Sequence, residues 1–228
     1  MRLSLIDEML LLASTDEGRH ALRDLPTLVA GAALADLGLR GRLDSPARVV
    51  TVIDTSPTGH PVLDDLLASV AALHRQRPAW RWAFDSARSL TRAEREHLVD
   101  VGVLGRQDDV VLGMLPRTRY PIADPEAQRQ VVERVRDAIL GPQPIAHPGA
   151  SHREEPNGQA HAPDDADLET RLLVSLLATA FHSRRTAQAL FPELDARALR
   201  TKLRAASLPH WAVAGTAHAI RLANAAHT

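Results

Sequence analysis

The 228-residue chain contains no cysteine. That absence excludes disulfides, a thiolate nucleophile and zinc held by sulfur, and it is compatible with a reducing compartment. No run of about 18 uninterrupted apolar residues occurs, so no membrane-spanning helix is predicted. Asp7 and Glu8 lie where a signal peptide would be basic and then apolar, which argues against a secretory leader. We therefore expect a cytoplasmic protein.

Signatures of catalysis and of bulk nucleic-acid binding are also missing. The formal net charge is only -1 and the pI is about 6.8, which argues against a protein that coats nucleic acid. The motifs G-x-S-x-G, S-x-x-K, G-x-G-x-x-G and Walker A are all lacking. None of the eleven histidines is spaced four residues from another on a predicted helix, as in a zinc protease. We predict no enzyme, no cofactor and no metal site.

What remains is typical of a helical globular protein. Aromatic residues make up only 3% of the chain and alanine and leucine are abundant, which favours helices packed through small and branched aliphatic side chains. Ser4 and Asp7 form a capping-box pattern, as do Thr91 and Glu94. Apolar residues then recur at helical spacing. Predicted helices cover residues 4–12, 24–38, 62–73, 91–102, 124–141, 168–181, 186–190, 196–203 and 211–222.

Two β-hairpins interrupt this helical pattern. The first pairs residues 43–44 with the β-branched segment 48–53, and the second joins 103–104 to 110–115 through a turn at 105–109. Residues 141–166 are rich in proline, glycine and histidine, which predicts a flexible loop. The predicted fold is mainly α: one globular helical domain over residues 1–228, decorated by β-hairpins.

Arginines near the fourth predicted helix suggest an anion site. Arg88, Arg92 and Arg95 span the approach to that helix and its first turns, where backbone N–H groups and the helix dipole favour an anion. A guanidinium group can also bind two phosphate oxygens at once. The alternative is a solvated face on which these arginines form ion pairs with Glu94 and Glu96.

Two further arginines, Arg40 and Arg42, flank Gly41 where the second predicted helix ends. Their positions suggest local ion pairs with Asp36 or Asp44 at the junction between the helix and the first hairpin. Glycine supplies the backbone freedom that this junction needs.

A third group of interest lies in the turn after Val111, which the sequence suggests is an exposed hairpin tip. Met114 and Leu115 precede Arg117 and Arg119, an arrangement that lets an exposed tip enter a bilayer interface. The apolar pair would reach the acyl boundary while the arginines contact phosphates. The alternative is an ordinary strand whose apolar side faces the core.

Four sequence blocks, taken in order, resemble the Golgi phosphoprotein 3 family. They are LADLGLRGRL (34–43), the turn at 57–59 leading into VLDDLL (62–67), HLVDVGVL (97–104) and the segment 116–121. The resemblance implies a mainly helical domain and a peripheral membrane protein that binds phosphatidylinositol 4-phosphate. In eukaryotic members it also implies recruitment of Golgi glycosyltransferases as protein cargo. A homo-oligomer would strengthen attachment by presenting several membrane contacts.

The resemblance also locates the family's headgroup pocket in this chain. The pocket tryptophan corresponds to Ala21 and the arginine of the second helix to Ala30. The two basic positions before the HLVDVGVL block correspond to Arg88 and Thr91. Only one of these four positions therefore carries a cation here.

Neighbouring cations complete a displaced site in the leading hypothesis. The predicted headgroup-binding residues are Arg88, Arg92, Arg23 and His20, and the predicted function is a peripheral membrane adaptor for an anionic, phosphoinositide-like lipid. One alternative is a winged-helix nucleic-acid binder, because a helix followed by a hairpin matches that layout, although the near-neutral charge disfavours it. Another is an interaction protein of this fold that has lost lipid binding.

Overall fold

The computed structural model describes residues 2–15, 22–73, 75–111, 115–141, 165–180 and 195–226. Within these ranges the chain is mainly helical with two small antiparallel hairpins, which confirms the predicted fold class. The predicted helix over 186–190 and most of the predicted loop over 141–166 lie outside the described residues. The helices are α1 (Leu5–Ala13), α2 (Leu25–Leu39), α3 (Pro61–Ala72), α4 (Ala79–Asp85), α5 (Ala87–Asp100), α6 (Pro125–Leu140), α7 (Asp165–Ala180), α8 (Ala196–Ala206) and α9 (Trp211–Ala225). The strands are β1 (Leu43–Asp44), β2 (Thr51–Val52), β3 (Gln107–Val111) and β4 (Leu115–Arg119).

Helix α2 is the centre of the molecule. Its sequence LPTLVAGAALADLGL is apolar on nearly every side, which is the pattern of a helix buried all round. It contacts α1, α4, α5, α7 and α9, so N-terminal and C-terminal helices share it as a common partner. Buried side chains from these helices form one hydrophobic cluster. None of the described helices is long and apolar enough to cross a membrane.

Two glycines let helices approach α9 closely. A Cβ atom placed on Gly31 of α2 would lie 2.1 Å from Oγ1 of Thr216. A Cβ atom on Gly215 would lie 2.6 Å from that of Ala79 in α4. Both distances are shorter than real contacts, so a residue without a side chain is required at each crossing.

The end of α2 explains why an apolar helix runs into Arg-Gly-Arg. Gly41 has a positive φ of 65°. Its N–H group donates to the carbonyl of Gly38 at 3.0 Å, and the N–H group of Arg42 donates to that of Leu37 at 2.8 Å. These paired bonds form a Schellman motif, which ends the helix and turns the chain towards β1.

Helix α5 starts earlier than predicted. It begins at Ala87, directly after Ser86, which also ends the unpredicted helix α4. Thr91 therefore lies inside the helix, where its buried hydroxyl donates to the carbonyl of Ala87 at 2.8 Å. The predicted capping box of Thr91 and Glu94 is wrong, because both side chains face the core instead of a helix terminus.

The second hairpin is also displaced from its prediction. Segment 107–109, predicted as turn, belongs to β3, which pairs with β4 from Gln107 opposite Arg119 to Val111 opposite Leu115. Polar contacts between the two strands help to hold the hairpin together, as where Thr118 Oγ1 donates to Asp108 at 2.7 Å. The first hairpin pairs as predicted, but its second strand covers only residues 51–52.

Candidate functional site

Arg88 and Arg92 form an exposed cationic surface on α5, here called the basic face. The two residues are four positions apart in one helix, a spacing that places their side chains on the same side. Both side chains are exposed to solvent. Within the part of the chain that the structure describes, neither of them forms an ion pair.

The carboxylates nearest in sequence are directed elsewhere. Glu94 is completely buried. Glu96 accepts a hydrogen bond from the hydroxyl of Tyr120 at 2.7 Å and lies 3.2 Å from the guanidinium of Arg106. Asp85 is held by two other arginines, at 2.9 and 3.3 Å. Glu94 and Glu96 therefore do not neutralise the basic face, contrary to the alternative interpretation of the sequence.

Among the other cations considered for the headgroup site, the structure describes Arg23 and Arg95. Arg23 is exposed in the turn that precedes α2. His20 lies outside the described residues. Arg95 leaves the basic face, because its guanidinium lies over the Tyr120 ring, 5.4 Å from the centroid. Burial there lowers the pKa of Arg95 from its usual value.

The family pocket positions supply no further cation. Ala30 is fully buried within α2, and Thr91 faces the core of the molecule. Ala21 lies outside the described residues. Arg88 is thus the one described residue at these positions that can hold an anion.

The predicted membrane-contact hairpin is seen in part. Met114 lies outside the described residues, and only the backbone of Leu115 is described, in β4. Arg117 is exposed on the same strand. Arg119 lies 3.1 Å from the carboxylate of Asp109 across the hairpin, so its charge is partly compensated.

The arginines beside Gly41 are engaged locally. Arg40 forms an ion pair with Asp36 at 2.5 Å, as predicted. Arg42 pairs with Asp54 in place of the predicted Asp44, because the hairpin brings residue 54 back to the end of α2.

A second site is a group of four residues, here called the polar cluster: Asp7, His60 and Glu94 are buried, and His97 is half-buried. Helix α1 supplies Asp7, the N-cap position of α3 supplies His60, and α5 supplies the other two. His60 Nε2 lies 3.2 Å from Asp7 Oδ1 and 3.8 Å from Glu94 Oε2. The two imidazole rings are 4.4 Å apart between centroids. The capping box predicted for α1 is confirmed, and it directs Asp7 Oδ2 towards the N–H and hydroxyl groups of Ser4, both at 2.7 Å.

Burial sets the protonation of this cluster. It raises the pKa of Glu94 to about 11, with the Asp7 carboxylate adding to the effect, so Glu94 is neutral at pH 7. Burial acts in the same direction on Asp7, but hydrogen bonding with His60, Glu94 and Ser4 outweighs it and holds the pKa of Asp7 below its usual range. Burial and the neighbouring His60 lower the pKa of His97. The cluster thus holds one ionised carboxylate beside one neutral carboxylic acid.

Sequence reasoning missed this cluster because its members come from three separate segments. One local signal was available. Glu94 lies between Leu90 and Leu98 at a spacing of four residues, so it occupies the apolar stripe of α5, and all three are buried. A charged residue in an apolar stripe indicates a buried polar partner.

Comparison with known proteins agrees with the fold. A sequence model of the family described as Golgi phosphoprotein 3 (GPP34) matches residues 5–223, nearly the whole chain. No curated protein sequence matches it.

Proposed function

The chain belongs to the Golgi phosphoprotein 3 family, and on this basis we propose that it is a peripheral membrane adaptor that binds an anionic, phosphoinositide-like lipid headgroup. The proposed contact is the basic face of α5. The observation that carries the proposal is that Arg88 and Arg92 are exposed and form no ion pair with any described residue. Two uncompensated guanidinium groups on adjacent turns match the charge and geometry of a phosphate.

The surroundings of the basic face support contact with a bilayer. Phe84 lies four residues before Arg88, at the end of α4, and its side chain is 48% exposed. Exposed aromatic side chains are typical of surfaces that enter the membrane interface. Arg23 and Arg117 are further exposed cations that a membrane surface could attract.

Simple magnitudes predict weak attachment by a monomer. Each arginine near an anionic surface contributes about 1 kcal/mol, and full burial of an aromatic side chain contributes about 1.5–3 kcal/mol. These contributions must offset the entropy lost on association. We therefore propose that several copies act together, as a homo-oligomer that also presents a protein cargo.

The headgroup site differs from the pocket that the family resemblance implies. Ala30 and Thr91 supply no cation at their pocket positions, so the proposed recognition relies on surface arginines. Surface arginines attract negative charge in general, and the test must therefore separate a phosphoinositide from other anionic lipids.

Co-sedimentation with liposomes tests the proposal. Vesicles of phosphatidylcholine alone are compared with vesicles that contain phosphatidylserine or phosphatidylinositol 4-phosphate at matched total charge. Wild type should bind the vesicles with phosphatidylinositol 4-phosphate more tightly than those with phosphatidylserine, and it should not bind the neutral ones; equal binding to both anionic vesicles would contradict a phosphoinositide-like ligand. The double variant Arg88→Ala/Arg92→Ala should bind at least tenfold more weakly, since two contributions of about 1 kcal/mol are lost.

A matched control removes the same charge elsewhere. Arg129 and Arg204 are exposed on α6 and α8, and the double variant Arg129→Ala/Arg204→Ala should retain wild-type binding. Equal losses in both double variants would show that total charge, not the basic face, governs attachment. If wild type ignores every anionic vesicle but binds duplex DNA with a steep salt dependence, the winged-helix alternative replaces the adaptor. If it binds neither, the chain is an interaction protein that has lost lipid binding.

A further inference from the structure

The polar cluster brings together the kinds of side chain that bind transition metals. Donor atoms of Asp7, His60 and His97 all lie within 4.8 Å of one another. The carboxylate of Glu94 adds a fourth donor, 3.8 Å from His60 Nε2. Two imidazole nitrogens and two carboxylate oxygens form a donor set that suits zinc and related divalent ions.

The two carboxylates lie at distances from His60 that are close to those in a coordination shell. Bonds of about 2.0–2.2 Å in a tetrahedral zinc site place the donor atoms about 3.3–3.6 Å apart. The distances of 3.2 Å from His60 to Asp7 and 3.8 Å from His60 to Glu94 lie on either side of that range. His97 is half-buried, so its ring has room to turn towards the other donors.

Glu94 gives an independent reason to expect a cation. Its side chain is completely buried, and among the described residues its carboxyl group has no partner other than the neighbouring carboxylate of Asp7. A buried polar group without a partner is costly, and native structures seldom retain one without a compensating ligand or function. A divalent cation among these four side chains would displace the proton of Glu94, balance the charge of the two carboxylates and bind one oxygen of each.

The surroundings are also those of a metal site. Ser4 holds Asp7 Oδ2 through two hydrogen bonds, which leaves Oδ1 directed at His60. Such outer hydrogen bonds orient the ligands of bound metals. A cavity of about 530 Å³, lined by Ser4, Asp36, Arg40 and His60 among others, borders the cluster at His60.

We propose that Asp7, His60, Glu94 and His97 form a binding site for a divalent transition-metal ion, with zinc as the best match. The site joins α1, the start of α3 and α5, so the bound ion would cross-link three segments that are distant in sequence. It is independent of the lipid-binding proposal, because it uses the opposite side of α5.

Zinc titration of untagged, metal-free protein tests this site. Isothermal titration calorimetry should give one ion per chain, and zinc should raise the thermal unfolding temperature. Co²⁺ should produce the intense visible absorption of a four-coordinate site, and Ca²⁺ and Mg²⁺ should not compete. His97→Asn and Glu94→Gln should each weaken zinc binding at least tenfold, because each removes a ligand.

Controls separate this site from adventitious binding by the other histidines. His218 is exposed on α9, and His218→Asn should leave zinc affinity unchanged. Glu94→Gln keeps the size of the side chain, and circular dichroism without zinc verifies that each variant is folded. The proposal is overturned if wild type binds no zinc, or if His97→Asn and Glu94→Gln both keep the wild-type zinc affinity and Co²⁺ spectrum. If His97→Asn does not fold, Glu94→Gln and the wild-type Co²⁺ spectrum decide the question.

Discussion

The crossing of α2 and α9 gives the sharpest stability prediction. Gly31→Ala would add a Cβ atom 2.1 Å from Thr216 Oγ1, 2.9 Å from its Cγ2 and 3.0 Å from Leu176 Cδ2. Thr216 cannot move aside freely, because it is fully buried and its hydroxyl donates to the carbonyl of Ala212 at 2.8 Å. The added methyl group must therefore either separate the helices or break that hydrogen bond.

The magnitude follows from three opposing effects. Overpacking a core costs about 1–3 kcal/mol, and loss of the hydrogen bond costs about 0.5–1.5 kcal/mol. Alanine regains up to about 1 kcal/mol of helix propensity at Gly31. We expect a net loss of about 1–3 kcal/mol in the free energy of unfolding. For a chain of this size each kcal/mol lowers the unfolding temperature by about 2–4 °C.

Urea and thermal unfolding, followed by circular dichroism, measure the effect, and a double-mutant cycle assigns its cause. Thr216→Ala removes both of the closest atoms, so Gly31→Ala/Thr216→Ala should be more stable than the sum of the single losses by about 1–2 kcal/mol. Gly38→Ala is the control on the same helix. Its Cβ atom would lie 3.2 Å from the ring of Trp211, which is only partly buried, so we expect a loss below about 1 kcal/mol.

Two results would refute the reasoning. Gly31→Ala could unfold at or above the wild-type temperature, which would mean that the helices are not in contact at this residue. Alternatively, the two single losses could add without coupling, which would mean that Thr216 is not the obstacle.

The remaining predictions concern an ion pair with one buried partner and a helix cap. Glu8 is buried and lies 2.5 Å from the guanidinium of Arg134. Arg134→Ala should lower the free energy of unfolding by about 1–3 kcal/mol, a value already reduced because the arginine is partly exposed. Glu8→Gln in the Arg134→Ala background should restore part of this loss, because it removes the unpaired buried charge. An unchanged urea denaturation curve for Arg134→Ala would contradict the pairing. Burial lowers the pKa of His210, whose neutral Nδ1 accepts the N–H group of Ala212 at the start of α9. The unfolded chain then binds the proton more readily, so stability should decrease as the pH falls below about 6.5. His210→Asn keeps a cap acceptor without that titration and should show a weaker pH dependence in chemical denaturation; an equal slope in both proteins would exclude this role.

Helix α5 carries both candidate sites on different sides. Arg88 and Arg92 are exposed, whereas Glu94 faces the core and His97, about two and a half turns after Arg88, is half-buried beside His60. Zinc-ligand variants should therefore leave liposome binding intact, and arginine variants should leave zinc binding intact. If a zinc-ligand variant or an arginine variant loses both liposome binding and zinc binding, the substitution has displaced helix α5.

Much of the helical architecture could be predicted from local patterns. The capping box of Ser4 and Asp7 and the helix start at Asp124 act within a few residues, so sequence alone reveals them. The prediction for Thr91 and Glu94 failed because the same short pattern also occurs inside a helix. There the surrounding apolar contacts decide which way the two side chains face.

For the site residues, too, local sequence predicts one property and the packing of the chain decides another. Exposure of Arg88 and Arg92 on a helix agrees with the sequence pattern, but whether a carboxylate neutralises them depends on where Glu96 and Glu94 point.

The periodicity of apolar residues and the positions of helix caps already indicate a helical protein, because each reflects interactions within one or two turns of the chain. The absence of cysteine excludes disulfides without any knowledge of the fold. The meeting of Asp7 with His60 and His97, and the close contact of Gly31 with Thr216, come from the way separate helices pack. Such contacts join residues far apart in the chain, and no local pattern records them.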